Sequence, residues 1–305
     1  SRLIIYDSRP RRILVTDPAF RLIKEIQHPF FSTVWGLCVN SSGEIVVSNT
    51  RSTGEGFAES QDKKNSIAEV LFFDQSGTLL LRWEWLQEEG PLVMPYQITP
   101  LASGQYLVAD VSLNRVFRLD SEKRVIAASG EFGSGTRQMY YPNDVQVASD
   151  GRVVIADCYN SRLLTMELNE PVFGPASPVN SITASGSEFV LPEAFRNQRV
   201  VVEGGFEEGK VRFPEFVCFD PEGNLYCSEA ETMRISKFDR QYRLVSVFKP
   251  NLPKGSDGKE RFYQFFGVCF LAKPGKLLAA DSMNGCIHEF DRDGKWLRSI
   301  DGVIP

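Results

Sequence analysis

One short pattern recurs along the chain and limits what it can fold into. An apolar strand ends in an acid, a tight turn follows, and a second strand closes on another acid. The fullest copy lies in PNDVQVASDGRVVIADCYNSRLLTMEL (residues 142–168). Aligned on the first acid, YLVADVSLNRVFRLD (106–120), LYCSEAETMRISKFD (225–239), LLAADSMNGCIHEFD (277–291) and LIIYDSRPRRILVTD (3–17) keep register without a gap. Acid and arginine stand five apart as Asp7 and Arg12, Asp110 and Arg115, Asp157 and Arg162, and Glu229 and Arg234. Asp281 faces Cys286 instead, so that copy needs another partner for its acid. A sixth copy, EIVVSN (44–49), is interrupted and resumes as AEVLFFD (68–74). Repeats of this length are modular, because each unit must bury its faces against its neighbours.

Each unit adds a strand after the third, and every unit but the first adds one before the acid-ended strand: GLCVN, QITPL, DVQVA, FVCFD and GVCFL. Alternation of apolar and polar residues marks these as half-buried strands. The pattern predicts an all-β chain, a six-bladed β-propeller of four-stranded antiparallel blades. It reads as one domain, with blades at about 1–28, 34–85, 95–130, 142–205, 214–249 and 265–302. The first blade lacks its innermost strand, which C-terminal or upstream residues would supply on ring closure. Insertions fall at 50–66 and 170–198, with a smaller one at 251–264.

The net charge of −5 argues against a general polyanion binder, against DNA, and against a basic membrane-binding face. No apolar run is long enough to span a bilayer. Cys38, Cys218 and Cys269 occupy equivalent inner-strand positions, and no CxxC occurs. The six cysteines therefore read as reduced, buried thiols of a cytoplasmic protein.

The fragments PNDVQVASDGRVVIADCYNSR, LVADVSLNR and GVCFLAKPGKLLAADSMNGCIHEFDRDG resemble NHL repeats, as do the linkers GEFGSGTRQMYYPN and GGFEEGKVRFPE. Such propellers occur in ubiquitin-ligase proteins of the tripartite-motif type. The resemblance covers essentially the whole chain. It implies a scaffold portion of a longer protein, to which a ubiquitin-ligase module could be linked, and some members bind RNA.

Residues that differ between copies are the candidates for recognition, because folding alone would keep the copies alike. They lie where the chain enters each inner strand. Trp35, Tyr96, Asn143, Asp144, Glu215 and Phe266 are the expected contacts of a protein or peptide bound on the top face, without cofactor or metal. The recurring acid–arginine pairs read as scaffold. Pro142-Asn143-Asp144 also resembles a motif of gluconolactonase-type propellers, which hold a divalent metal in the channel. That alternative would make Asn143, Asp144 and Glu215 oxygen ligands of Ca²⁺ or another divalent ion in a hydrolase. RNA binding, the other alternative, would need phosphate contacts, and Arg9, Arg11 and Arg12 form the one basic cluster. His28 and His288 are too few for a histidine-rich zinc channel.

Overall fold

The computed structural model describes residues 2–52, 66–86, 92–122, 124–169, 193–252 and 263–301. Among them lie 23 strands and a short 3-10 turn at Cys158–Asn160. The strands form six antiparallel sheets, so the fold is an all-β six-bladed β-propeller. The first sheet holds three strands: β1 (Leu3–Asp7), β2 (Arg12–Thr16) and β3 (Leu22–Gln27). The second holds β4 (Thr33–Val39), β5 (Ile45–Ser52), β6 (Ser66–Phe73) and β7 (Leu79–Leu86). The third holds β8 (Pro95–Pro100), β9 (Tyr106–Asp110), β10 (Arg115–Leu119) and β11 (Val125–Ser129). The fourth holds β12 (Pro142–Val147), β13 (Arg152–Asp157), β14 (Arg162–Leu168) and β15 (Phe195–Val202). The fifth holds β16 (Pro214–Phe219), β17 (Leu225–Glu229), β18 (Arg234–Phe238) and β19 (Leu244–Phe248). The sixth holds β20 (Phe265–Leu271), β21 (Lys276–Asp281), β22 (Cys286–Asp291) and β23 (Trp296–Ile300).

The chain divides into two compact units, residues 1–139 with 169–196 and residues 140–168 with 197–305. In the first, Phe72, Trp83 and Tyr106 meet edge to face at 4.6–5.6 Å in an apolar cluster with Val46, Ile98 and Phe117. In the second, Phe248 meets Tyr226 and Phe290 edge to face at 5.6 and 5.7 Å, between the fifth and sixth sheets. The first inner–second strand turns share a glycine at positive φ. At Gly151 an added Cβ would touch nothing, so the need there is the left-handed backbone alone.

The interruption of the second repeat begins later than the sequence pattern suggested. Thr50, Arg51 and Ser52 pair with Ala68, Ile67 and Ser66, so β5 and β6 lengthen into one ladder before residues 53–65, which lie outside the described residues. Residues 170–192, 253–262 and 302–305 also lie outside them, and with them most of the other two insertions and the proposed completion of the first blade. The described end of the second insertion returns to the third sheet. There Glu193 bridges Ala128 in parallel, and the Ser129 hydroxyl accepts the N–H groups of Ala194 and Phe195.

Buried ion pairs pin three of the turns between second and third strands. Arg12 donates to Asp7 at 3.0 Å, Arg162 to Asp157 at 2.7 Å, and Arg234 to Glu229 at 2.9 Å. The expected Asp110–Arg115 pair does not form. Asp110 is instead held by the backbone N–H groups of Val93, Met94, Ser112 and Leu113. Those four donors occupy both oxygens, and burial still pushes its carboxyl above the usual range. In the second sheet the charges are rearranged: Asn49, within β5, stands where the other copies have the acid, and its register partner Glu69 carries the acid, contacted by Arg51 and Arg82. Asp281 finds His288, two residues beyond Cys286, at 3.1 Å.

The acids that close the third strands have a local role that the repeat alone did not disclose. Asp17, Asp120 and Asp239 each cap the following turn by accepting two backbone N–H groups and an arginine four residues on.

Candidate functional site

Every inner strand carries a register irregularity at its entry. The shifts fall between Val34 and Gly36, Pro95 and Gln97, Pro142 and Asp144, Pro214 and Val217, and Phe265 and Val268. The residues left out of the ladder are Trp35, Tyr96, Asn143, Glu215 with Phe216, and Phe266 with Gly267. A bulge bends its strand and re-aims the side chain that has no cross-strand partner. Five of the six candidate residues therefore owe their orientation to a bulge; Asp144, which pairs with Ala156, is the exception.

In the first unit the structure brings Trp35 and Tyr96 together, their rings stacked with centroids 5.0 Å apart. Trp35 also donates its indole N–H to the Thr50 hydroxyl at 3.2 Å. Tyr96 is buried, so it supports Trp35 and offers little surface of its own. The stack needs Gly36: a Cβ there would lie 2.7 Å from the Ser48 hydroxyl and from the Tyr96 carbonyl.

In the second unit Asn143, Asp144 and Glu215 come together although 72 residues separate Asn143 from Glu215. Asp144 is fully enclosed. Its Oδ2 accepts the backbone N–H of Val217 at 2.8 Å and its Oδ1 a bond from the Gln146 amide at 3.0 Å. Asp144 is thus a strut that joins β12 to the bulge of β16. The Asn143 side-chain amide donates to Glu215 at 2.5 Å. Its Oδ1 is buried and has no hydrogen-bond partner, which is costly for a polar atom cut off from water.

No cation faces Glu215 among the described residues, and burial pushes its carboxyl up to about 7 against the downward pull of the Asn143 bond. Phe266, exposed, meets Phe216 with centroids 6.2 Å apart. Beside this pair stands an aromatic group that the repeat alignment passes over. Tyr141 stacks on Tyr159 at 4.6 Å, and Tyr140 and Phe213 meet Tyr159 edge-on at 4.9 and 5.9 Å. Tyr141 and Phe213 hold left-handed backbone, which bulky residues adopt rarely and which clusters at ligand clamps. Tyr141 and Tyr159 are close enough to Glu215 for its charge to add to the upward shift that burial gives both phenols. The signal in the sequence was the run Tyr140-Tyr141 ahead of Pro142; Tyr159 reaches it only through the 3-10 turn.

The cysteine expectation needs correction. All six thiols are free, but Cys269 is exposed and Cys38 and Cys218 are half-buried. Water reaches part of each residue, yet enough protein surrounds the sulfur to push Cys38 up to about 12 and Cys269 up to about 11. Such thiols are poor nucleophiles at neutral pH.

The donor set does not fit Ca²⁺, which takes six to eight oxygens. Asn143, Asp144 and Glu215 offer at most five oxygens; each Asp144 oxygen already accepts a hydrogen bond, and Glu215 keeps its proton up to about pH 7.

The sequence pattern of the NHL repeat matches residues 139–165. No curated protein sequence matches significantly. Solved structures match over nearly the whole chain. A chain of a nidogen–laminin complex has a TM-score of 0.63 at 13% identity, covering 98% of this chain and 92% of its own. A protein of unknown function from Bacteroides caccae has 0.60 at 13%, covering 98% and 93%. Selenomethionine-substituted virginiamycin B lyase from Staphylococcus aureus has 0.52 at 13%, covering 96% and 82%. At that identity the likeness shows the fold alone.

Proposed function

Taking the chain as the NHL-repeat β-propeller that its repeat and its sheets make it, we propose that it is a non-catalytic module that captures a protein or peptide. In this reading a lysine, arginine or free amino group of the partner is seated against Glu215 and Asn143 of the second unit. The buried Asn143 Oδ1 without a partner carries the proposal. A carbonyl oxygen and an uncompensated carboxyl side by side accept hydrogen bonds and attract positive charge. A cationic N–H donor satisfies the first and ionises the second.

Tyr159, Tyr140 and Phe266 are exposed aromatics that would cover the aliphatic stem or lie against the cation. Asp144 positions this site by holding the β16 bulge. The Trp35–Tyr96 stack of the first unit is a second aromatic surface with its own test. Free thiols support a cytoplasmic setting. No helix among the described residues is long and apolar enough to cross a membrane.

Selection of peptides from a random display library on the immobilised chain tests the reading. Enriched peptides should carry Lys or Arg flanked by apolar residues, and Glu215→Lys should abolish their capture with thermal stability nearly unchanged. Trp35→Ala asks the same of the first stack. Enrichment of peptides without a cation, or capture unaffected by Glu215→Lys, would sink the assignment. RNA as the ligand would show itself by affinity that falls steeply with salt and is not competed by the peptides.

A further inference from the structure

The turn of the sixth sheet departs from the others in a way that changes its chemistry. Where Arg12, Arg162 and Arg234 neutralise a buried acid, Cys286 stands opposite Asp281 in the ladder. Where Ser236 donates to Glu229, His288 faces Asp281. All three side chains are buried. His288 Nε2 lies 3.1 Å from Asp281 Oδ2 and 3.7 Å from Cys286 Sγ, and one donor atom from each residue falls within 4.8 Å of the others.

We propose that Asp281, Cys286 and His288 bind a zinc ion, which supplies the positive charge that an arginine supplies in the other turns. Oxygen, nitrogen and sulfur donors around tetrahedral zinc stand roughly 3.3–3.8 Å apart, from metal–ligand lengths of about 2.0–2.3 Å. The two His288 spacings, 3.1 and 3.7 Å, are close to that, and the third, within 4.8 Å, would close further on binding. Thiolate with imidazole selects zinc over calcium or magnesium.

The surrounding bonds are those of a supported metal site. His288 Nδ1 lies 2.9 Å from the Ser299 hydroxyl, which can take the Nδ1 proton and leave the Nε2 lone pair free for the metal. Asn284 donates its side-chain amide to Asp281 Oδ2 at 2.6 Å, and the N–H groups of Met283 and Asn284 hold Oδ1. On binding, the Cys286 thiol gives its proton to solvent and its sulfur lone pair to zinc, with a water in the fourth position. The ion would lock β21 to β22, as the arginine pairs do elsewhere. The rival arrangement is a plain imidazolium–carboxylate pair.

Cobalt substitution separates the two. The full chain, stripped with chelator and titrated with Co²⁺, should take one ion with a thiolate-to-cobalt charge-transfer band. Zn²⁺ should displace it and raise the melting temperature, and EDTA should reverse that rise. Cys286→Ser should lose the band, and Ser299→Ala should weaken zinc affinity about 10–100-fold. The double variant Cys286→Arg, His288→Ser rebuilds the Glu229–Arg234–Ser236 arrangement. It should stay folded and be indifferent to EDTA. A folded wild-type chain with no charge-transfer band, or a band that survives in Cys286→Ser, overturns the site.

Discussion

Glu229 and Glu215 belong to the same sheet, on β17 and β16, and show two uses of a carboxylate withdrawn from water. Glu229 is fully enclosed and saturated. It accepts from Arg234 at 2.9 Å, Ser236 at 2.6 Å, Thr232 at 2.8 Å and the Arg212 backbone at 3.1 Å. Glu215 has one side-chain partner among the described residues, Asn143, itself with an unpartnered oxygen. The first is charge-balanced within the protein and has nothing left to offer. The second has no cation facing it among the described residues, and it is there that the proposed partner would bring one. A buried acid with its own cation holds the scaffold; one without a cation is where a ligand is to be sought.

The largest test of this contrast is on the saturated side. Arg234→Ala strands Glu229 and should cost about 3–5 kcal/mol in denaturant unfolding. On the incomplete side the sign reverses. The folded-state value of Glu215, about 7, lies above its ordinary 4.5, so the folded chain holds this proton more tightly. The contribution is full below pH 4.5 and lost as pH rises to about 7, so the charged group destabilises the fold above that. Glu215→Gln should therefore stabilise the chain at pH 8 by up to about 3 kcal/mol, and the difference should vanish near pH 4. Denaturant titrations across that range read it directly. Capture of a lysine peptide should strengthen as pH rises through about 7 in the wild type and not in Glu215→Gln. The smallest effect is expected at the turn that looks like the others in sequence. Arg115→Ala should change stability by less than about 0.5 kcal/mol, because backbone N–H groups, not Arg115, hold Asp110.

Much of the architecture was legible in the residues. Strand alternation, turn glycines and the recurring acid are properties of a few adjacent positions. Hence the six sheets, the three-stranded first sheet and the pairs at Arg12, Arg162 and Arg234 could be anticipated. The same logic failed at Arg115, because identical spacing says nothing about which N–H groups another strand brings to Asp110. At Asp281 it called for another partner without naming one; that partner, His288, lies across the β21–β22 ladder rather than at the repeat's five-residue offset.

The candidate site divides in the same way. Divergence between copies, visible in the sequence alone, singled out Trp35, Tyr96, Asn143, Asp144, Glu215 and Phe266. Only the tertiary structure decided that Asn143, Asp144 and Tyr96 are buried, that bulges re-aim every candidate but Asp144, and that Tyr159 joins Tyr141 beside Glu215. The physical reason is range. A strand's period and a turn's chemistry are set within a few residues, whereas the pairing of Asn143 with Glu215 depends on how two strands from different sheets are packed side by side.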